Sequence, residues 1–332
     1  HVKDELKVDA ASILLLNPVT HTLDFTAGIG FRTNNIERSR VRIGHGCAGR
    51  AAQELSTISC VEIWDESGIF VRSSLLASEE FVAHYVTPLV VKGQVKGILE
   101  IFHRAGIKPE SGWLSYFETL ATQAAIAIEN TSLVENLQRS NLELTLAYDA
   151  TIEGWSRALD LRDRETEGHT QRVAEKTLEL AEKMGMRDAE KMDLRRGALL
   201  HDIGKMGVPD VILHKPGPFS DDEWEIMRQH PVYAYQMLSP ITYLKRALEI
   251  PYCHHEKWDG SGYPRGLKGE QIPLAARLFS VVDVWDALTS ERPYRPAWSE
   301  KDAFEYIHQQ AGEYFDPEVV KIFLQGLSKL SL

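Results

Sequence analysis

His201, Asp202 and Asp283 each interrupt a stretch otherwise apolar enough to be buried. His201-Asp202 follows Gly197-Ala198-Leu199-Leu200, and Asp283 stands between Leu278-Phe279-Ser280-Val281-Val282 and Val284-Trp285. An imidazole or carboxylate is costly to bury unless a partner compensates it. Any fold of this chain must therefore bring compensating groups to those positions. A metal cation is the strongest such partner, and Glu165, His169, His230, His254 and His255 are further candidate ligands.

The 332 residues allow two domains with ordinary cores. A formal charge of −11 argues against a nucleic-acid polymer as partner, because such binding needs a net basic face. It leaves room for a small nucleotide held by local arginines. Cys47, Cys60 and Cys253 are too few and too scattered for a disulfide framework or a CxxC zinc site, which fits a reducing, cytoplasmic setting. No apolar run approaches the roughly 18 residues that span a bilayer, and no signal peptide is visible. The chain starts at His1 rather than Met, so membrane attachment through an upstream segment stays open.

The first 130 residues read as mixed α and β. Ser12 to Leu16 is a short buried-strand pattern ended by Asn17-Pro18. Val86 to Val91 and Val95 to Phe102 are β-rich runs separated by Lys92-Gly93-Gln94, which predicts a hairpin. Residues 110–130 look helical. Gly44, Gly46 and Gly49 precede a helix-prone stretch. Together these features resemble the GAF family, ligand-sensing or dimerising domains on an antiparallel sheet, with that family's first helix shortened or absent.

From Ala121 to Asp160 the pattern is continuous helix without proline. Ile126, Leu133 and Ala147 share one heptad position and Leu137 and Leu144 the other, while Asn130, Ser140 and Thr151 spoil the seam. A helical linker and a parallel homodimer are the corresponding expectations. Beyond residue 150 helical signals dominate. Thr170 to Met184 is amphipathic and closed by Gly185, Ser220 to Glu223 is a capping box, and Pro231 marks a helix start with His230 at its boundary.

Adjacent side chains on a helix diverge by about 100°. A helical His201-Asp202 pair therefore shares one cation only over its common edge, where Gly204 removes a side chain. Lys205 lies one turn beyond His201. Taken alone, His-Asp also reads as a buried hydrogen bond, a histidine pair as polar surface, and Asp283 as a partner for Arg277. The number of candidates outweighs those readings and points to a metallohydrolase. Asp286, one turn after Asp283, reads as support for a ligand. Mixed imidazole and carboxylate donors suit iron or manganese, with zinc left open.

The motifs from residue 150 to 325 resemble the HD-GYP family, a branch of the HD-domain phosphohydrolases. They are His201-Asp202-Ile203-Gly204-Lys205, His230-Pro231, His254 through Pro264 with Gly262-Tyr263-Pro264, Asp283-Val284-Trp285-Asp286, and Arg292-Pro293-Tyr294-Arg295. A glycine common after the His-Pro motif is replaced within Val232 to Tyr235. The resemblance implies an all-α catalytic domain with two or three divalent ions, iron first and manganese second. His169, His201, Asp202 and Asp283 match the general HD ligands, His230, His254 and His255 those of this branch, and Glu165 the ligand of members holding a third ion.

The expected architecture is an α+β GAF-like domain over 1–130, a helical linker over 131–150 and an all-α HD-GYP domain over 151–332. The implied activity is hydrolysis of cyclic di-GMP to pGpG, and in many members on to GMP, by a metal-bridging hydroxide. Asp202 would bridge the ions. Lys205 would stabilise charge or help the leaving oxygen depart, while Tyr263, Arg292 and Arg295 would hold phosphate. Alternatives are a silent cyclic di-GMP receptor, an HD-type nucleotidase, and a related substrate such as cyclic GMP-AMP. The GAF-like domain would regulate through an unknown small ligand.

Overall fold

The structure, a computed structural model, describes residues 2–61, 72–106, 109, 111–163, 168–291 and 296–328. It divides into two compact units, His1–Leu142 and Glu143–Leu332.

The first unit is built on a six-stranded antiparallel sheet ordered β3-β2-β1-β6-β5-β4. Its strands are β1 (Ala10–Asn17), β2 (Thr22–Ile29), β3 (Arg40–Arg42), β4 (Ile58–Val61), β5 (Ala83–Val91) and β6 (Gln94–His103). The expected hairpin is present: Val91 pairs with Gln94, and Lys92 and Gly93 take φ of 50° and 78°. Such positive angles match the strand twist in a tight two-residue connection. The helices here are α1 (Val2–Leu6), α2 (Gly46–Glu54), α3 (Ser73–Leu76) and the start of α4 (Ser111–Asp163).

Alternation along the strands divides the unit into two layers. Leu99 and Ile101 pack with Phe117, Ala121 and Ala125 of α4. Leu14, Val86 and Ile98 pack with Cys47, Ala48 and Ala51 of α2. One expectation is corrected here: Cys47 and Cys60 are joined in a disulfide. The 13-residue separation is closed because β4 returns the chain to the start of α2, a proximity that linear spacing does not reveal. Cys253 is a free, buried thiol.

The second unit is helical, as expected. The end of α4 is followed by α5 (His169–Lys183), α6 (Asp188–Leu199), α7 (Asp210–Leu213), α8 (Asp221–Met227) and α9 (His230–Leu238). Then come α10 (Glu249–Cys253), α11 (Leu274–Thr289), α12 (Glu300–Gln309) and α13 (Pro317–Ser328). α5 buries Val173, Leu180 and Ala181 and stops before Gly185, whose φ is 76°. The Ser220/Glu223 capping box opens α8, and Pro231 sits in the first turn of α9. α11 is apolar on nearly every side, so it runs through the core with Leu278, Phe279, Val281 and Val282 fully buried. No described helix is long and apolar enough to cross a membrane.

Candidate metal centre

Four helix boundaries and one helix interior deliver the candidate ligands. His169 is the first residue of α5, His230 opens α9, and His254-His255 leave the end of α10. Asp283 projects from the middle of α11. His201 and Asp202 depart from the helical expectation. α6 stops at Leu199, Leu200 leaves helical geometry with ψ 8°, and a 3-10 turn follows over Ile203–Gly207. The pair therefore sits in the joint between two helical segments, and His201 Nε2 comes within 3.0 Å of Asp202 Oδ2.

Gly204 serves this joint in a different way from the one expected. A Cβ there would collide with the His230 carbonyl and stand 2.7 Å from the Ala234 nitrogen. Its absence lets the 3-10 turn lie directly on α9, which brings Asp202 to His230.

Two ligand groups result. Asp202, His230, His254 and His255 each offer a donor atom within 4.8 Å of the others, and so do His169, His201 and Asp283. Asp202 connects them. Its Oδ2 faces His201, while its Oδ1 lies 3.3 Å from His230 Nε2 and 3.6 Å from His254 Nε2. His169 Nε2 is 3.3 Å from Asp283 Oδ1.

The far sides of the rings determine what these atoms are. Nδ1 of His201, His230 and His254 reaches the carbonyls of Ala198, Met227 and Ile250 at 2.9, 2.8 and 3.1 Å. Nδ1 of His169 reaches Asp286 Oδ2 at 2.7 Å. A carbonyl or carboxylate accepts only from N–H, so each neutral ring carries its lone pair on Nε2. His230 and His254 then set two Nε2 atoms 3.3 Å apart beside a carboxylate. Lone pairs facing lone pairs repel unless a cation lies among them, and this donor set fits a metal.

Charge tells the same story. Burial pushes His230 down to about 3 and His255 well below its ordinary value, so both stay neutral and keep a donor pair at neutral pH. His201 differs: burial works against its charge, but the Asp202 and Asp283 carboxylates outweigh it and raise the ring to about 9, so at neutral pH its Nε2 carries a proton that a bound cation would have to displace. Burial disfavours ionised Asp202 and Asp283, yet the facing imidazoles, and Lys205 at Asp202, hold both below the usual carboxylate range. Asp283 is only partly buried, unlike Asp202, which leaves its side of the centre open to solvent.

Around these ligands stands a supporting layer. Asp286 accepts from Arg172 Nε and Nη2 at 3.0 Å as well as from His169. Lys205 Nζ donates to Asp202 Oδ2 at 2.7 Å and to Asp163 Oδ2 at 2.5 Å. Tyr263 stacks on His255 with ring centroids 4.7 Å apart. Its loop is held by Glu256, which accepts from the backbone of Arg265 and Leu267 at 2.7 and 2.8 Å. Arg277, considered above for Asp283, donates instead to Asp316 at 2.6 Å.

The structure thus brings together His169, His201, Asp202, Lys205, His230, His254, His255, Tyr263 and Asp283. Glu165, Arg292 and Arg295 lie outside the described residues. Sequence reasoning missed Asp163. Its only signal was a carboxylate at the end of the proline-free run, too common a feature to single out. Arg228, whose guanidinium carbon lies 5.6 Å from the Tyr263 ring centroid, was missed too.

Comparison with known proteins gives two family matches. Residues 154–319 match a family described as HD domain, and residues 1–130 one described as GAF domain. A cyclic di-GMP phosphodiesterase of Thermotoga maritima is 44% identical over 170 residues, covering 50% of this chain and 46% of that protein. A cyclic di-GMP phosphodiesterase response regulator of Xanthomonas campestris is 39% identical over 201 residues, 60% of this chain and 53% of that protein. A 3'3'-cGAMP-specific phosphodiesterase of Vibrio cholerae is 37% identical over 202 residues, 60% of this chain and 37% of that protein. The chain thus spans about half or less of the length of these curated relatives.

Proposed function

The chain belongs to the HD-domain family with an N-terminal GAF domain, and from that premise we propose that it is a metal-dependent phosphodiesterase of cyclic dinucleotides. Cyclic di-GMP is the first substrate, opened to pGpG, with GMP as the further product if the second bond is cut too. The observation that supports this most is the set of imidazoles whose Nδ1 atoms are tied back, so that their Nε2 atoms converge around Asp202. The names of the relatives above support the substrate class.

His169, His201 and Asp283 would hold one divalent ion and His230, His254 and His255 another, with Asp202 serving both. Glu165 would hold a third. Iron is the first choice and manganese the second. When bound, such ions neutralise phosphoryl oxygens and acidify the attacking water.

The side chains do the rest. Lys205, anchored between Asp202 and Asp163, places an ammonium beside the reacting phosphate to stabilise charge and supply a proton to the leaving oxygen. Burial raises the Tyr263 hydroxyl above its ordinary value of 10, so it stays protonated and able to donate to phosphate. Arg292 and Arg295 would grip the remaining phosphate oxygens. The boundaries 1–130, 131–150 and 151–332, a cytoplasmic setting, a homodimer and a regulatory ligand of the GAF domain complete the reading.

The test is product analysis. Anaerobically prepared chain loaded with Fe²⁺ or Mn²⁺ is incubated with cyclic di-GMP, 3'3'-cGAMP and mononucleotides. Release of pGpG is expected, a later rise of GMP would show the second cleavage, and Asp202→Ala should lose both turnover and bound metal. Absence of any product after long incubation would make the chain a receptor; faster mononucleotide turnover would make it a nucleotidase.

A further inference from the structure

The α2-facing layer of the first unit holds three side chains that the proposed hydrolysis does not use. Cys47 enters from the first turn of α2, Cys60 from β4, and His84 from β5 directly opposite Cys60 in the strand register. One donor atom from each lies within 4.8 Å of the others. Cys47 and His84 are buried, and Cys60 is half-buried.

His84 is backed by charge. Its Nε2 lies 3.1 Å from Glu100 Oε1, and Glu100 is in turn clasped by Arg72 and by Ser12, whose hydroxyl donates at 2.9 Å. The Arg72 guanidinium and the Ser12 hydroxyl both donate to it, which marks Glu100 as the acceptor in this cluster. It therefore accepts a hydrogen bond from His84 Nε2–H, and the ring's lone pair falls on Nδ1. A carboxylate behind an imidazole is the usual support of a metal-binding histidine. The start of α2 adds partial positive charge that favours a thiolate at Cys47.

We infer that Cys47, Cys60 and His84 form a second metal site, one that takes a borderline-soft divalent ion such as Zn²⁺ or Fe²⁺ when the two cysteines are reduced. Two thiolates and an imidazole suit such ions, whereas the carboxylate-rich HD centre suits harder ones. The disulfide is the metal-free state of the same site. A small dithiol opens it by exchange, leaves as its own cyclic disulfide, and yields two thiols. The incoming ion then displaces both thiol protons.

Co²⁺ is the probe, because sulfur-to-cobalt charge transfer reports thiolate ligands and the HD centre has none among the described residues. The full chain is reduced anaerobically with a dithiol, the reagent is removed, and Co²⁺ is titrated in. The charge-transfer band is expected to saturate at one ion per chain. It should be absent from unreduced protein and from Cys60→Ser, retained in Cys253→Ser, and weakened by more than about tenfold in affinity in His84→Ala. No band in the reduced chain, or a band that survives Cys60→Ser, would overturn the site. Alkylation of the unaltered protein gives a second readout independent of variant folding. Co²⁺ should slow labelling of Cys60, and equal rates with and without the ion would count against the proposal.

Discussion

Asp286 touches His169 Nδ1 at 2.7 Å and so governs which nitrogen of that ring carries the lone pair. Burial would raise its carboxyl, but His169 and Arg172 hold it well below the usual range. Asp286→Ala removes the acceptor and lets the ring turn or change tautomer. We expect metal affinity at the His169 group to fall by about 10–100-fold, read by equilibrium dialysis of Mn²⁺, with the fold unchanged by circular dichroism. Unaltered affinity would reduce Asp286 to packing. Glu100 gives the sheet a pH dependence. Its folded carboxyl lies below the ordinary 4.5, so its stabilisation is complete above that pH and drains away as pH falls through 4.5 toward the folded value. Hydrogen-exchange protection factors of β5 and β6, corrected for the intrinsic pH dependence of exchange, should fall on acidification through that window. Glu100→Gln should be destabilised at neutral pH by roughly 3–5 kcal/mol, because Arg72 stays buried without its partner, and should lose this acid dependence. An unchanged acid profile would remove Glu100 from that role. His201 and Asp202 were legible in the sequence because their apolar surroundings made their burial expensive. Glu100 was not, since one acid within Ile98 to Phe102 also reads as the solvent face of a strand.

At the scale of elements, periodicity located the hairpin of β5 and β6, the run of α4 and the caps of α8 and α9, because each depends on neighbours in sequence. The break of α6 before His201 escaped it. That break depends on α9, whose contact with the 3-10 turn is set by a glycine thirty or so residues away in sequence from the helix it admits. Gly204→Ala is the sharpest probe of this joint. The added methyl meets backbone on α9, which cannot swing aside as a side chain can. Destabilisation of about 1–3 kcal/mol is expected from overpacking, together with loss of metal as Asp202 is forced from His230. Urea denaturation and metal analysis would measure both. A variant with wild-type stability and metal content would show that the turn can shift without cost.

For the whole molecule, composition and the proline-free run were enough to separate a mixed α/β part from a helical part. The disulfide between Cys47 and Cys60 was beyond reach, because chain return is a property of the folded sheet. α4 also carries an apolar seam. Leu133 and Leu137 are 55% and 62% exposed in the single chain, and Ile126 and Leu144 lie in register with them. Exposed leucines at heptad spacing fit a second copy of the helix better than water. The proposed parallel homodimer would bury them, and Leu133→Glu with Leu137→Glu should weaken it. The loss of about 1.5–3 kcal/mol per buried leucine amounts to more than about 100-fold in Kd when both are replaced, visible as monomer in sedimentation at concentrations where the parent is dimeric. Direction can be tested separately. Ser140 occupies the same heptad position as Leu133 and Ala147, so in a parallel, in-register pair it faces its own counterpart. Ser140→Cys should then form an interchain disulfide under mild oxidation, above the background of the parent chain. A dimer that refuses this crosslink would be antiparallel, and a parent chain that sediments as monomer at every concentration would leave the seam without a partner of its own kind.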